Sequence, residues 1–315
     1  MSELGRSGVA VTGLGLGGAA IGGLYTAVDA ETARATVARA YDAGIRYFDT
    51  APHYGVGGSE RHMGAALRGR DGFVLSTKIG RLLRPRLPGE AADPEGFAPG
   101  ADLVREWDFT ADGVRRSLES SLERLGLDHV DVVYIHDPDD HEDEVYATAY
   151  PALARLREEG TVRAIGAGMN QTAMLTRFVR RLDLDAVLCA GRYTLLEQPA
   201  AADLLPACLD RGTSVIIGGA YNSGLLIDPK PGAPYDYAPA PEPVVARARA
   251  LRETCAAHGV PLPAAALAYV RRHPAVASVL VGCRTPAEVD ATVAYWNTPI
   301  PDALWDDLRT PAGLG

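Results

Sequence analysis

Short apolar segments alternate with amphipathic segments along almost the whole chain, and this alternation restricts the possible folds. We predict eight strands, at residues 9–16, 46–49, 73–78, 130–136, 162–168, 186–190, 214–218 and 277–281. Helical periodicity predicts helices at residues 31–43, 59–67, 112–125, 150–159, 172–182, 200–211, 244–258, 263–272 and 286–295. Strands that alternate with helices form parallel sheets, so eight units favour a closed (β/α)8 TIM barrel over an open doubly wound sheet.

The chain has 315 residues, and we expect one barrel domain over residues 1–315 because barrels of this type often exceed 250 residues. A short N-terminal hairpin is expected before the first strand. Three long segments, at residues 81–109, 137–149 and 227–243, follow the third, fourth and seventh strands. In a barrel all three are rim loops at the carboxyl ends of the strands, where binding sites are built.

The charge of the chain argues against several kinds of partner. The net charge is −9 and no basic tract occurs, so we expect no nucleic acid and no anionic membrane as partner. No apolar run has the length of a membrane span, and the glycine-rich start lacks the pattern of a secretory signal. The four cysteines are widely spaced, which predicts reduced thiols in a cytoplasmic protein. The sequence does not determine the oligomeric state.

Ionisable side chains end three successive predicted strands. Asp49 ends the second strand, with Tyr54 five residues later in a turn; Lys78 ends the third and His136 the fourth. A single lysine or histidine at a strand end is more often structural. Three such groups at converging strand tips must pair with one another or with a ligand, because unpaired buried charge is costly.

These groups suggest acid–base chemistry at the strand tips. A lysine cation near Tyr54 is expected to lower the pKa of the phenol, which suits a general acid–base tyrosine. No other histidine or cysteine is spaced to form a metal site with His136, so no metal is expected. No serine or cysteine nucleophile with a neighbouring base is visible either.

Residues 13–18 fit the pattern G-x-G-x-x-G after a strand. The dinucleotide fingerprint requires a helix to begin at the third glycine, and here two further glycines follow. Asp49 does end the second strand, but it lies more than 30 residues beyond the glycines, further than the fingerprint places its acidic residue. Close packing near a loop explains these glycines better than a Rossmann fold.

The segment Asp49-Thr50-Ala51-x-x-Tyr54-Gly55, with strands ending in Lys78 and His136, resembles the aldo-keto reductases over essentially the whole chain. The resemblance implies a barrel with a nicotinamide cofactor extended over its rim. It implies that Tyr54 is the proton donor and acceptor and that Lys78 lowers its pKa. Asp49 would pair with Lys78, and His136 would orient the substrate oxygen.

Departures from the common family pattern point to one branch. Met169 replaces a frequent serine, whereas Asn170 can still bind the carboxamide; Ala190 replaces a frequent glutamine. Together with the segments at residues 105–109, 136–139 and 218–224, these features resemble the branch that holds L-fucose, D-threo-aldose and L-galactose 1-dehydrogenases and pyridoxal 4-dehydrogenase. Most of these oxidise a cyclic hemiacetal carbon to a lactone. The resemblance implies these cofactor residues: Met169, Asn170, Gly218, Gly219, Tyr221, Asn222, Gly224, Gly282, Arg284, Thr285 and Glu288.

The last strand and helix bear on the choice of cofactor. Glu288 would repel the 2′-phosphate of NADP and could accept a hydrogen bond from the ribose hydroxyl of NAD. Arg284 argues the other way, because a guanidinium could bind the phosphate. We expect NAD to be preferred and NADP to be possible. The alternative is that Glu288 is only a solvated residue on the helix surface.

The expected substrate is a small sugar, aldehyde or alcohol. Trp107 is our first choice for stacking on a sugar ring, and His53 and Tyr25 are further candidates. A pyridoxal 4-dehydrogenase or a general aldehyde or ketone reductase are the alternative enzymes. A nicotinamide-binding regulatory barrel is the alternative outside catalysis. A lyase or isomerase is disfavoured because no phosphate loop or metal cluster is visible.

Overall fold

Eight parallel strands close into a barrel in the computed structural model, which describes residues 1–90 and 102–308. The strands are Leu14–Gly17, Tyr47–Asp49, Val74–Ile79, Val132–His136, Ala164–Met169, Ala186–Ala190, Ser214–Gly218 and Val276–Gly282. We number them one to eight. Each pairs with its neighbours in chain order, and strand eight closes the ring on strand one. The (β/α)8 prediction is confirmed, and the open sheet is excluded.

Helices surround the barrel. They are Ala30–Asp42, Gly58–Leu67, Ala111–Leu125, Glu142–Glu144, Tyr150–Glu158, Thr172–Arg181, Leu204–Arg211, Glu242–Ala257, Leu262–Val270, Pro286–Asn297 and Asp302–Leu308. The Ala111–Leu125 helix shows why they form. The Thr110 hydroxyl accepts from the Gly113 N–H at its start, and Gly126 ends it with φ +62. No helix in the described ranges is long and apolar enough to cross a membrane.

A hairpin of Ser2–Glu3 and Ala10–Val11 closes the amino end of the barrel. The predicted first strand, residues 9–16, is therefore two separate pieces. Residues 10–11 pair with the chain start, whereas Leu14–Gly17 pairs with strands two and eight. Leu4, Val9 and Val11 are fully buried against the side chains inside the barrel, which gives this closure an apolar driving force.

Of the predicted rim loop at residues 137–149, only residues 137–141 lie outside a helix. Helix begins at Glu142–Glu144 and continues through a π-helical segment, Val145–Ala149, into Tyr150–Glu158. Pro151 lacks an N–H and indicates a helix start in the sequence. Here a wider π turn, Val145–Ala149, precedes Pro151, so the helix continues past the proline instead of beginning there.

Two of the long rim loops form hairpins. In the first rim hairpin, Arg81–Pro85 pairs with Leu103–Trp107 and Arg81 lies opposite Trp107. Residues 91–101 of this loop lie outside the described part of the chain. In the second rim hairpin, Pro234–Tyr235 pairs with Ala238–Pro239 around a two-residue turn, Asp236 and Tyr237, with φ +48 and +65. Such turns usually contain Asn-Gly, so a tyrosine there is strained.

The glycine-rich first strand packs tightly and opens no helix. A Cβ on Gly18 would lie 2.4 Å from the Ser59 hydroxyl and 2.8 Å from the Asp49 carbonyl oxygen. The Gly18 N–H also donates to that carbonyl at 2.7 Å. Close approach of the backbone therefore explains this glycine, as we inferred when rejecting the Rossmann fingerprint.

Candidate active site

A buried ion pair lies at the ends of strands two and three. Lys78 Nζ lies 2.6 Å from Asp49 Oδ2 and also donates to the Thr50 carbonyl at 2.9 Å. The Ser76 hydroxyl donates to Asp49 Oδ1 at 2.7 Å. Lys78 is 1% exposed and Asp49 is 2% exposed. The hydrogen bonds fix both groups, so the cation is held at one point beneath the rim.

Tyr54 and His136 lie directly beside this pair. Lys78 Nζ is 4.8 Å from the centre of the Tyr54 ring, and the Tyr54 and His136 rings meet edge to face at 5.7 Å. The Tyr54 N–H donates to the Ala51 carbonyl, which fixes the turn that carries the phenol. The structure therefore brings Asp49, Tyr54, Lys78 and His136 to one cavity, as the sequence resemblance implied.

The pKa of Tyr54 shifts opposite to the sequence expectation. Burial raises this pKa well above its usual value, the charges of Asp49 and Asp137 raise it further, and Arg81 opposes them. The Lys78 cation is balanced by Asp49 at 2.6 Å, so it does not act on the phenol as an isolated charge. The expected lowering of the Tyr54 pKa is therefore wrong for this arrangement, and Tyr54 is protonated at neutral pH.

His136 is a neutral imidazole. Burial lowers its pKa well below the usual range, and Arg81 and Lys78 lower it further. His53, whose ring centre lies 5.5 Å from that of His136, has its pKa lowered to about 2, again mainly by burial. His136 Nε2 lies 3.3 Å from Asp137 Oδ2, and because the ring is neutral this contact is not an ion pair.

The catalytic candidates line a cavity of about 810 Å³ that extends across the rim. This is within the range of ligand pockets. The predicted cofactor residues on its wall are Met169, Asn170, Gly218, Gly219, Tyr221, Asn222, Gly224, Gly282, Arg284 and Glu288. Thr285 does not line the cavity: its hydroxyl accepts from the Glu288 N–H and caps the helix Pro286–Asn297. Thr285 therefore shapes that helix start rather than the cavity wall.

The cavity suits the nicotinamide dinucleotide that the resemblance implies. The Asn222 side chain is 5% exposed, and its Oδ1 has no hydrogen-bond partner among residues 1–90 and 102–308. A buried amide oxygen of this kind normally has a partner, and a bound carboxamide or ribose can supply one. The helix Pro286–Asn297 begins at the far end of the cavity, where its N–H groups favour negative charge.

Arg284 and Glu288 bind each other at that end. Arg284 Nη2 lies 3.0 Å from Glu288 Oε1, and the Arg284 backbone N–H donates to Glu288 Oε2 at 2.8 Å. Glu288 is therefore not a purely solvated carboxylate, which was the alternative interpretation. The pair neutralises the guanidinium that could otherwise attract a 2′-phosphate.

The three substrate candidates occupy different places. His53 and Tyr25 line the cavity, and the Tyr25 hydroxyl lies 3.1 Å from the Ser223 hydroxyl. Trp107 does not line the cavity, and its stacking on a sugar ring stays a prediction. The Trp107 ring is stacked on Phe109 and covers the Arg81 guanidinium at 4.3 Å. Trp107 lies on the first rim hairpin and is 42% exposed.

Sequence reasoning missed several charged residues of the site. Arg81 follows strand three after Gly80, and Asp137 directly follows His136. Gly80 has φ +110, and a Cβ there would lie 2.4 Å from the Phe109 ring, so this turn requires glycine. A charged residue immediately beyond a strand end was the available signal for both.

The second rim hairpin is tied to the cavity by Arg192, another residue that the sequence did not single out. Arg192 Nη2 binds both Asp236 oxygens, at 2.9 and 3.0 Å, and Arg192 Nε donates to the Asn170 carbonyl at 3.0 Å. Tyr237, beside Asp236, lines the cavity. The hairpin is thereby held over the catalytic candidates.

Comparison with known proteins agrees with this geometry. A D-threo-aldose 1-dehydrogenase from a Pseudomonas species is 46% identical over 310 residues, covering 96% of this chain and 94% of that protein. A pyridoxal 4-dehydrogenase from Microbacterium luteolum is 38% identical and covers 98% of this chain and 96% of its own length. The L-galactose dehydrogenase of Arabidopsis thaliana is 31% identical, covering 93% of this chain and 87% of that protein.

The solved structure of an aldo-keto reductase from Bacillus halodurans in its holo form superposes with a TM-score of 0.76 at 26% identity. It covers 96% of this chain and 92% of that one. A profile of the aldo/keto reductase family matches residues 13–310. The resemblance inferred from the sequence is confirmed, and this chain belongs to the aldo/keto reductase family.

Proposed function

We propose that this enzyme, an oxidoreductase acting on CH–OH groups, oxidises the hemiacetal carbon of an aldose to a lactone with a nicotinamide dinucleotide as hydride acceptor. The observation that carries the proposal is the convergence of Asp49, Tyr54, Lys78 and His136 on one cavity. The similarity to a D-threo-aldose 1-dehydrogenase supports the choice of substrate.

Each side chain has a distinct task in this proposal. Tyr54 takes the proton of the reacting hydroxyl in oxidation and returns it to the carbonyl oxygen in reduction. His136, neutral and buried, orients that oxygen through a hydrogen bond. Lys78, fixed by Asp49, places a cation beside the phenol and stabilises negative charge that develops there. Asn170 and Asn222 would hold the dinucleotide, which supplies hydride transfer when bound.

The protonation state of Tyr54 favours reduction at neutral pH. A phenol whose pKa is raised is protonated at neutral pH and so carries the proton that reduction requires. Oxidation needs the deprotonated phenol, so its rate should rise as the pH rises. The relative initial rates of the two directions therefore depend on pH through this one group.

A direct assay tests the proposal. Formation of NADH from NAD, or of NADPH from NADP, is measured with L-fucose, D-arabinose, L-galactose and pyridoxal side by side. We expect oxidation of at least one aldose, and its loss in Tyr54→Phe with dinucleotide binding retained in a fluorescence titration. Full turnover by Tyr54→Phe would remove Tyr54 from the mechanism.

One alternative substrate has specific support, and a non-enzymatic role has none. The similarity to a pyridoxal 4-dehydrogenase favours pyridoxal as the second candidate substrate, and the same assay decides between them. A regulatory barrel would bind the dinucleotide and turn over no member of the panel. The complete acid–base set argues for an enzyme.

We propose NAD as the preferred cofactor, because Glu288 engages the Arg284 guanidinium that could otherwise bind a 2′-phosphate. A much lower KM for NADP than for NAD would overturn this preference. We also propose a cytoplasmic location. All four cysteines are free and buried, as expected for a protein of a reducing compartment.

A further inference from the structure

Asp137 is a carboxylate in the catalytic cavity that the four-residue set does not include. It directly follows His136, lines the cavity, and its side chain is 32% exposed. Its backbone has φ +39, in the left-handed region that residues other than glycine rarely adopt. The Asp137 N–H donates to the Gly168 carbonyl at 3.0 Å, which helps to hold this conformation. Strained residues of this kind concentrate at functional sites.

A buried guanidinium anchors the Asp137 carboxylate. Arg81 is 7% exposed, and its Nη2 lies 3.1 Å from Asp137 Oδ2. Within the described ranges, Arg81 Nε and Nη1 have no hydrogen-bond partner, and Asp137 is the carboxylate with which Arg81 forms an ion pair. Trp107 covers the guanidinium at 4.3 Å. Because a buried cation is costly without a counter-charge, Arg81 ties Asp137 to this position.

The two oxygens of Asp137 are used differently. Oδ2 contacts both Arg81 and, at 3.3 Å, His136 Nε2. Among the described residues no hydrogen bond engages Oδ1. One oxygen is therefore anchored beside the imidazole, while the other remains as an acceptor at the cavity wall. An ionised carboxylate accepts and does not donate, so its natural partner is a hydroxyl.

We propose that Asp137 Oδ1 accepts a hydrogen bond from the substrate hydroxyl adjacent to the reacting carbon, and that Arg81 is the positioning residue for it. This inference rests on the proposed function and adds its substrate class: a hemiacetal or aldehyde with a neighbouring hydroxyl. Neighbouring oxygens in a sugar lie about one hydrogen-bond length apart. A substrate whose reacting oxygen contacts His136 therefore brings the next hydroxyl to Asp137.

The charge of Asp137 makes this contact selective. A hydrogen bond between a hydroxyl and a carboxylate is charge-assisted, whereas a deoxy substrate leaves a partly buried anion without that partner. Burial raises the pKa of Asp137, and the nearby Arg81 cation opposes this rise. A carboxylate with a raised pKa is more basic, so it accepts a hydrogen bond more strongly. Simple aldehydes without a neighbouring hydroxyl should be the poorer substrates.

The test compares Asp137→Asn with wild type on paired substrates: the best aldose of the panel and its 2-deoxy analogue. Asparagine tolerates the left-handed backbone, so this variant keeps the turn and removes only the charge. We expect wild type to prefer the hydroxylated partner by at least about tenfold in kcat/KM, and Asp137→Asn to lose most of that preference. Asp140→Asn removes an exposed carboxylate three residues further on and is the matched control.

Variants of Arg81 separate positioning from general stability. Arg81→Met should weaken the preference mainly through KM, and Arg81→Lys should restore part of it, which a purely structural loss would not do. An unchanged preference in Asp137→Asn, with aldose oxidation intact in wild type, overturns this inference and leaves the proposed function standing. If wild type oxidises no aldose, the proposed function fails. In that case the Asp137 inference is tested with the ratio of kcat/KM for reduction of glyceraldehyde to that for propanal. Wild type should prefer glyceraldehyde, and Asp137→Asn should lose most of that preference.

Discussion

Lys78 and Asp49 form a 2.6 Å ion pair that is almost completely buried at the ends of adjacent strands. Replacing one member leaves the other charge uncompensated in the protein interior. We expect Lys78→Met to lose about 3–5 kcal/mol in the free energy of unfolding and nearly all turnover. Urea denaturation and steady-state kinetics measure the two effects.

The double variant Asp49→Asn/Lys78→Met provides the control. It removes both charges, so stability should recover while turnover stays low, because the cation beside Tyr54 is still missing. A double variant as unstable as Lys78→Met would mean that packing rather than charge explains the loss. Recovery of turnover would remove Lys78 from the mechanism.

The raised pKa of Tyr54 predicts an asymmetric dependence on pH. Because the deprotonated phenol is the minor form at neutral pH, oxidation should rise by about tenfold per pH unit until the pH reaches the raised pKa. Reduction uses the protonated phenol and should stay level until the pH approaches the same value. Profiles of kcat/KM in both directions at constant ionic strength check this. A plateau of oxidation below neutral pH would contradict it.

His136 should not contribute a further transition to these profiles. Its pKa is lowered well below the usual range, so the imidazole stays neutral across the neutral and alkaline range. In this range neither direction should therefore show an inflection that His136→Gln removes. Such an inflection would show that the imidazole is charged in the working enzyme.

The Arg284–Glu288 pair predicts a shift of cofactor preference. In Glu288→Ala the guanidinium loses its partner and becomes available to a 2′-phosphate. The ratio of kcat/KM for NADP to that for NAD should rise by about tenfold, which corresponds to one charge-assisted hydrogen bond. Asp290→Ala, an exposed carboxylate on the same helix, is the control and should leave the ratio unchanged. If Glu288→Ala left the ratio unchanged, the Arg284–Glu288 pair would not determine the cofactor preference.

The turn of the second rim hairpin predicts that replacing Tyr237 by glycine increases the stability of the protein and weakens substrate binding. Tyr237 has φ +65, so Tyr237→Gly should gain about 0.5–1 kcal/mol by relieving backbone strain. It also removes a ring from the cavity wall, so KM for the substrate should rise. Tyr237→Ala removes the ring and keeps the strain, so a stability gain should occur in the glycine variant alone. If the two variants were equally stable, the backbone of Tyr237 would not be strained.

Much of the catalytic set could be predicted from the chain because each group ends an apolar run. Asp49, Lys78 and His136 follow buried strands, and parallel strands in a closed barrel bring their carboxyl ends to one rim. Tyr54 could be placed because a proline and glycines fix a turn just beyond Asp49. The barrel followed from local periodicity alone.

What could not be predicted depends on contacts between distant segments. Trp107 was assigned to the substrate because it is aromatic and lies on a rim loop, but pairing of the first rim hairpin places it over Arg81. The lowered Tyr54 pKa was expected from the cation of the Asp49–Lys78 pair, whereas burial, followed by the charges of Asp49 and Asp137, raises it. Local patterns carry no information about such compensation.

The first rim hairpin connects the outer surface of the enzyme to its chemistry. Trp107 is partly open to solvent and also covers Arg81, and Arg81 in turn holds the carboxylate beside His136. Grafting this hairpin from a relative to alter selectivity would therefore also exchange the counter-ion behind the imidazole. Efforts to retune such an enzyme should keep Arg81 and Trp107 and exchange only the hairpin residues beyond them, or turnover will change along with the choice of substrate.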